Sequence, residues 1–291
     1  MEHPQSVLDE VKTIILMMFP HFDFVQVDRV FTDIVRLFLG EYPGYSKCTT
    51  EYHDLKHTTD AFLAMARLMH GIMVGGKSIT KEQVNLGLIC SLMHDTGYIQ
   101  TLDDDVGTGA KYTRIDSRRS IGFMEKYITS SGFPRENFRY FPQILMCTSL
   151  DKKVSEIGFR SQETELLGKI LGTADLLGQM ADRIYLEKLL FLYYEFREAG
   201  IIEYDSELDL LKKTDVFYAM TKKRLAVELD SLNEYMHYHF KVYWNMDRDF
   251  YMESIDKNKD YLNFLIGNHE KDYREHLTRG GVVKKLAGQQ S

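Results

Sequence analysis

Apolar residues recur at three- and four-residue spacing along most of this chain, and no stretch alternates with period two. That is the helical period, so the pattern predicts helices throughout. Residues 7–19 form the first. Residues 24–39 form the second, with Val25, Val27, Val30, Phe31, Ile34, Val35 and Phe38 as its apolar face and the turn chemistry of Gly40 and Pro43-Gly44 after it. A third covers residues 58–73 and stops at Gly75-Gly76. Thr80 with Gln83 makes a capping box, and the helix it starts, residues 82–93, runs straight into His94-Asp95. Residues 101–119 break the period: Asp103-Asp104-Asp105 and Gly107-Thr108-Gly109 precede Lys111, Arg114, Arg118 and Arg119, a loop that enters a new helix near Ser117. Pro134 and Pro142 bracket a short connection. The pattern then predicts one long helical region over residues 161–197, a turn or short strand at 200–204, a helix over 208–240 and a frayed tail from Gly280. There is no internal repeat and no strand-rich block. The expectation is an all-α fold of one helical domain, residues 1–291, whose catalytic core spans 45–180 with the N- and C-terminal helices packed on it.

Composition narrows the function classes. The formal net charge is -7, which disfavours broad nucleic-acid or anionic-membrane binding. The three cysteines include no CxxC pair, the usage of a reducing compartment. Met1-Glu2-His3-Pro4-Gln5 lacks a basic segment before an apolar stretch, and the apolar run at 13–19 is too short to cross a bilayer. A cytoplasmic protein is expected. Cys90, inside an apolar run, is expected to be core.

Several polar residues sit where polarity is costly. His94-Asp95 closes an apolar helix and precedes Thr96-Gly97; it is either a solvated helix end or a ligand pair turned inward where the helix ends. Asp175 lies within the apolar stretch 170–177 and is either paired with Arg183, a neutral acid, or a metal ligand. His53 and His57 are one helical turn apart, which predicts that both rings leave the same helix face. Imidazole and carboxylate groups of this kind suit Zn, Mn, Mg or Fe with water in the remaining positions.

Tyr52-His53-Asp54-Leu55-Lys56-His57-Thr58-Thr59-Asp60 is similar to the Tyr-His-Asn-x-x-His-Ala-x-Asp motif of class I cyclic-nucleotide phosphodiesterases. Ser91-Leu92-Met93-His94-Asp95 and Thr173-Ala174-Asp175-Leu176 resemble the next two motifs of that group, in order. A His, then His-Asp after a helix, then a distant Asp resembles the HD-domain metal-dependent phosphohydrolases as a whole, and the resemblance covers residues 52–179. It implies a phosphodiesterase-like helical bundle and a divalent metal held by His57, His94, Asp95 and Asp175. Cleavage of a phosphoester by a metal-activated water is implied as well, with His53 protonating the leaving oxygen and Asp95 bridging toward a second metal. The substrate class so implied is a small phosphorylated molecule, nucleotides and cyclic nucleotides included.

The chain departs from the phosphodiesterase pattern at Asp54, where that family has Asn, and at Tyr98, where it has His. Residues 96–174 contain no His to complete a second metal site. Asp116 is the remaining carboxylate there, and it also reads as a helix N-terminal acid. Tyr98 and Gln179 are pocket candidates. Lys111 and Arg114, with Lys56, Arg118 and Arg119, are the basic residues considered for phosphate; Lys56 is expected to be solvated surface. The stretch 107–111 is either a lid or an ordinary loop. Asp60 is either an acceptor behind the His57 ring or surface. His237 and His239 diverge at i,i+2 spacing and are expected on a helix surface. The aromatic run 191–196 is expected to pack the C-terminal helices, and residues 189–193 are also a candidate homodimer contact. A non-catalytic sensor that keeps the metal or ligand pocket stays open as the second reading.

Overall fold

The computed structural model describes residues 3–289. The N-terminal pentapeptide read for a targeting signal begins at Met1 and Glu2, which lie outside the described residues, as do the last two residues of the tail. Among the described residues every regular element is helical, and the only extended pairing is an isolated bridge between Tyr45 and Thr101. The all-α expectation holds. In order the helices are α1 (Pro4–Met18), α2 (Val25–Leu39), α3 (Leu55–Val74), α4 (Lys81–Met93), α5 (Asp116–Ser131), α6 (Arg135–Phe138) and α7 (Phe141–Leu145). They continue with α8 (Gln162–Met180), α9 (Tyr185–Glu198), α10 (Glu207–Lys223), α11 (Met236–Tyr243), α12 (Phe250–Asn268), α13 (Tyr273–His276) and α14 (Val282–Gln289). No helix among the described residues is long and apolar enough to cross a membrane.

The core is built on α3 and α8, which pack against each other, with α1, α4 and α11 on α3 and α7, α4 and α12 on α8. Both central helices bury residues on most of their faces. Each fully buried Leu, Ile or Met along them contributes about 2 kcal/mol of transfer free energy. The two helices approach closely at Gly178, where a Cβ would meet the Asp60–Ala61 backbone at 3.1–3.2 Å. That contact brings the start of α3 against the second half of α8, and with it His57 against Asp175.

Helix ends follow their local chemistry. The Thr80–Gln83 capping box starts α4 as expected. Helix α3 begins three residues earlier than its periodicity suggests, because the Asp54 carboxylate accepts the His57 N–H and acts as N-cap. Lys188 of α9 pairs with the same carboxylate at 3.1 Å. His53 therefore precedes the helix, and the shared-face argument for His53 and His57 fails.

The long region read over 161–197 is two helices. Residues 181–184 break it without Gly or Pro, Asp182 capping the Ile184 N–H, and α9 starts afresh at Tyr185. The region read over 208–240 is likewise broken: α10 ends in a π-turn at Arg224–Glu228, and Asp230 and Ser231 follow at φ 53°. The tail read as frayed carries α14, which packs on α9. Residues 199–200 form a turn, and 201–204 follow it as irregular chain with no strand.

His239 corrects another expectation. It is fully buried, its Nδ1 lying 3.2 Å from Nδ1 of His70, while His237 stays partly exposed. The i,i+2 divergence is real, but it sends one ring inward. Leu189, Leu190, Phe191 and Tyr193, named for helix packing and for a homodimer contact, are buried within the chain.

Candidate metal centre

Four side chains from three helices and one turn meet at a buried point. His57 extends from the first turn of α3. Nε2 of that ring lies 3.2 Å from Oδ2 of Asp95 and 3.2 Å from Oδ1 of Asp175. Nε2 of His94 lies 3.4 Å and 3.5 Å from the same two oxygens, and 3.4 Å from Nε2 of His57. The donor atoms of His57, His94 and Asp175 all lie within 4.8 Å of one another, and Asp95 lies outside that group but meets both imidazoles. Metal–ligand bonds of about 2.0–2.2 Å set neighbouring donor atoms about 3.0–3.5 Å apart, which is the spacing of each imidazole nitrogen from the two carboxylates.

The backbone explains how adjacent residues both face inward. His94 caps α4 in helical geometry, and Asp95 (φ −105°, ψ 9°) opens the 3-10 turn Thr96–Tyr98. Helix α5 clamps that turn. Ser120 Oγ accepts the Gly97 N–H and donates to the His94 carbonyl, and Arg119 donates to the Gly97 and Ile99 carbonyls. Gly97 is required there, since a Cβ would fall 2.0 Å from the Asp116 carbonyl oxygen. Nδ1 of His94 lies 2.8 Å from the Ser91 carbonyl, which can only accept; Nδ1 therefore carries a proton and Nε2 points at the cluster.

Two carboxylate oxygens fit a cation at this point. Asp95 Oδ2 and Asp175 Oδ1 are buried with no hydrogen-bond partner, although both face the imidazoles. Neutral imidazoles leave these oxygens without a donor, and unpaired buried carboxylates are costly. A divalent ion with imidazole and carboxylate ligands would complete both oxygens, and Zn, Mn, Mg and Fe all accept such ligands. The Asp175–Arg183 alternative is not realised, because Arg183 lies beyond the end of α8 and is exposed.

Without a cation the cluster must hold protons. Burial pulls the His57 pKa down, but the contacts with Asp175 and Asp95 outweigh it and hold it at about 10. His94 is raised as well, burial being outweighed by the same carboxylates. Burial pushes Asp95 up, yet the two imidazoles hold it near 2, and Asp175 is pulled well below the carboxylate range in the same way. At neutral pH the metal-free cluster therefore carries imidazolium, whereas a metal needs neutral imidazole. Metal binding is expected to release at least about one proton per ion near pH 7, and affinity is expected to rise with pH until His57 deprotonates near 10. Calorimetry in buffers of different ionisation enthalpy reads that number directly, and a value of zero would contradict the assignment.

His53 stands beside this point, its ring centroid 6.0 Å from that of His57. Nδ1 donates to Oε2 of Glu195 at 2.8 Å, and the ring stacks on Tyr98 at 4.1 Å and 11°. The Tyr98 hydroxyl lies 3.4 Å from Nε2. Sequence reasoning missed Glu195. Its other oxygen accepts the N–H groups of Glu51 and Tyr52, so one buried carboxylate on α9 fixes both the 51–53 backbone and the ring it carries. The signal was a Glu inside the apolar run 189–196, the same kind of misfit that marks Asp175.

The remaining candidates divide. The Gln179 side chain accepts from the Tyr52 hydroxyl at 2.6 Å and lines a small cavity with Tyr52, His57, Asp60 and Asp182. Asp60 is held by Lys56 at 2.5 Å rather than by the His57 ring, and Lys56 also meets Asp182, so Lys56 is not the solvated residue expected. Lys111 is bound to Asp104 and the Val106 carbonyl, and Arg114 to the carbonyls of Ala199 and Gly200. These two cations are engaged in fastening the 103–114 loop. Asp116 begins α5 facing the cluster: burial and the charge of Asp95 push its carboxyl up to about 6.

A family model described as Npun_R2479-like matches residues 149–238. The matched stretch carries Asp175, Gln179 and Glu195 but none of the other cluster residues. No curated protein matches the chain, and no solved structure does.

Proposed function

We propose that the chain is a metal-dependent phosphohydrolase of the HD-domain type, acting on a small phosphoester such as a nucleotide or cyclic nucleotide. The observation that carries this reading is the convergence of His57, His94, Asp95 and Asp175 on one buried point with a second, separately held imidazole alongside. A divalent cation bound there supplies positive charge against phosphoryl oxygens and lowers the pKa of water toward neutrality. His57, His94, Asp95 and Asp175 would hold it, and Asp116 is the nearby carboxylate available to a second ion.

The chain's own groups do the rest. With Nδ1–H committed to Glu195, Nε2 is the nitrogen of His53 that can carry a proton to the leaving oxygen. Stacking on Tyr98 fixes the plane of that ring. Burial of the four ligands keeps bulk water from competing for them. Three free thiols, two of them buried, are in keeping with a reducing cytoplasm.

The proton donor also separates this reading from a ligand sensor, which has no use for one. The test is a screen of chromogenic mono- and diesters, nucleotides and cyclic nucleotides with Mg, Mn, Zn and Fe(II). Phosphate or nucleoside monophosphate release that stops on chelation supports the hydrolase. Tight metal binding with no turnover on any of these substrates would favour the sensor.

A further inference from the structure

A second group of metal-ligating side chains lies far along the chain, where α12 hands over to α13. His269 is the C-cap of α12, Asp272 precedes α13, and His276 ends it. Nδ1 of His269 lies 3.4 Å from Oδ1 of Asp272, and Nε2 of His276 lies 3.3 Å from Oδ2 of the same carboxylate. One donor atom from each residue lies within 4.8 Å of the other two, and the two rings approach to 3.6 Å between centroids. Two imidazoles so close gain little from each other, but they are well placed to share one cation.

The surroundings hold the three residues in this arrangement. The His269 N–H is bonded to the Leu265 carbonyl and the ring leans on Phe264 at 5.2 Å. The Asp272 N–H is bonded to the His269 carbonyl. Between Asp272 and His276, Tyr273 and Arg274 are both bound to the buried carboxylate of Glu207 on α10. The Tyr261 hydroxyl donates to the His276 carbonyl at 2.8 Å. Fixed ligands lose little freedom on binding, which favours a site.

We propose that His269, Asp272 and His276 form a second metal site, for a borderline divalent transition ion of the zinc class. Two imidazoles and one carboxylate, all partly exposed, leave the remaining positions to water. Magnesium, a hard ion that prefers oxygen ligands, is not expected to compete. The ion would staple the turn between α12 and α13. The chain next runs to Arg279 and Gly280, whose N–H groups bind Glu187 on α9, the helix that also carries Glu195.

The site is independent of the cluster on α3, α4 and α8, and its test keeps the two apart. Untagged full-length chain is dialysed against zinc in the presence of excess magnesium, and zinc per chain is measured for five proteins. The wild type is expected to take up one equivalent more than His276→Ala, with His269→Ala behaving alike. His94→Ala is expected to keep the second equivalent, and His94→Ala with His276→Ala to bind none. Zinc should raise the thermal midpoint of His94→Ala but not of the double variant. The inference is overturned if His94→Ala binds no zinc, or if neither His269→Ala nor His276→Ala changes uptake or weakens it more than about tenfold, since even the outer partners of metal ligands are worth that much.

Discussion

His94→Ala is expected to bind the cluster metal more than about a hundredfold more weakly than the wild type, and to lose hydrolytic activity with it. His94 is buried, its Nδ1 proton is committed to the Ser91 carbonyl, and its free nitrogen points at both orphaned carboxylate oxygens. Loss of a partner behind a ligand already costs about 10–100-fold in metal affinity, so loss of the ligand itself costs more. The charge stabilisation a metal supplies to a phosphoryl transition state is several kcal/mol, or about a thousandfold in rate. Titration with Mn or Zn, followed by rates at saturating substrate, reads both effects. Far-ultraviolet circular dichroism should show the helices intact, because α4 is held on both sides by α2 and α3.

The second large effect belongs to His53, the proton donor of the proposed reaction. His53→Ala is expected to lower kcat by about 10²–10⁴-fold, the usual worth of a positioned general acid. Metal content and KM should stay near wild type, because the ring is not among the four ligands. The loss should be smallest on nitrophenyl esters, whose leaving group needs no proton, and largest on alkyl or sugar esters. Glu195→Gln should lower kcat in the same direction but less. The amide can still accept the Glu51 and Tyr52 N–H groups while the carboxylate at Nδ1 is lost. In the His53→Ala background Glu195→Gln should add little, because the two side chains act as one unit. Full additivity would mean that Glu195 supports the backbone and not the ring.

Three of the four cluster residues were legible because they contradict their neighbours. His94-Asp95 interrupts an apolar helix and Asp175 lies inside another, so each needed a partner before any geometry was known. Periodicity likewise marked most of the helices, since they bury one face or nearly all faces. Less legible were features that depend on where the chain turns back. The break at 181–184 has no Gly or Pro, so α8 and α9 read as one helix, and Glu195 could not be placed against His53. Charge alone also misled at Lys111 and Arg114. Nothing local shows that their donors are taken by Asp104, Val106, Ala199 and Gly200. His239 shows the same limit from the other side: spacing separates it from His237 but does not say which ring is buried.

The most direct test is anomalous diffraction from a crystal of the full chain soaked in manganese, with data collected near the metal edge. The account predicts a strong peak about 2.0–2.3 Å from Nε2 of His57, Nε2 of His94 and the facing oxygens of Asp95 and Asp175, values typical of such ligands. Density at those four side chains with no anomalous signal between them, at manganese concentrations that saturate activity, would contradict it.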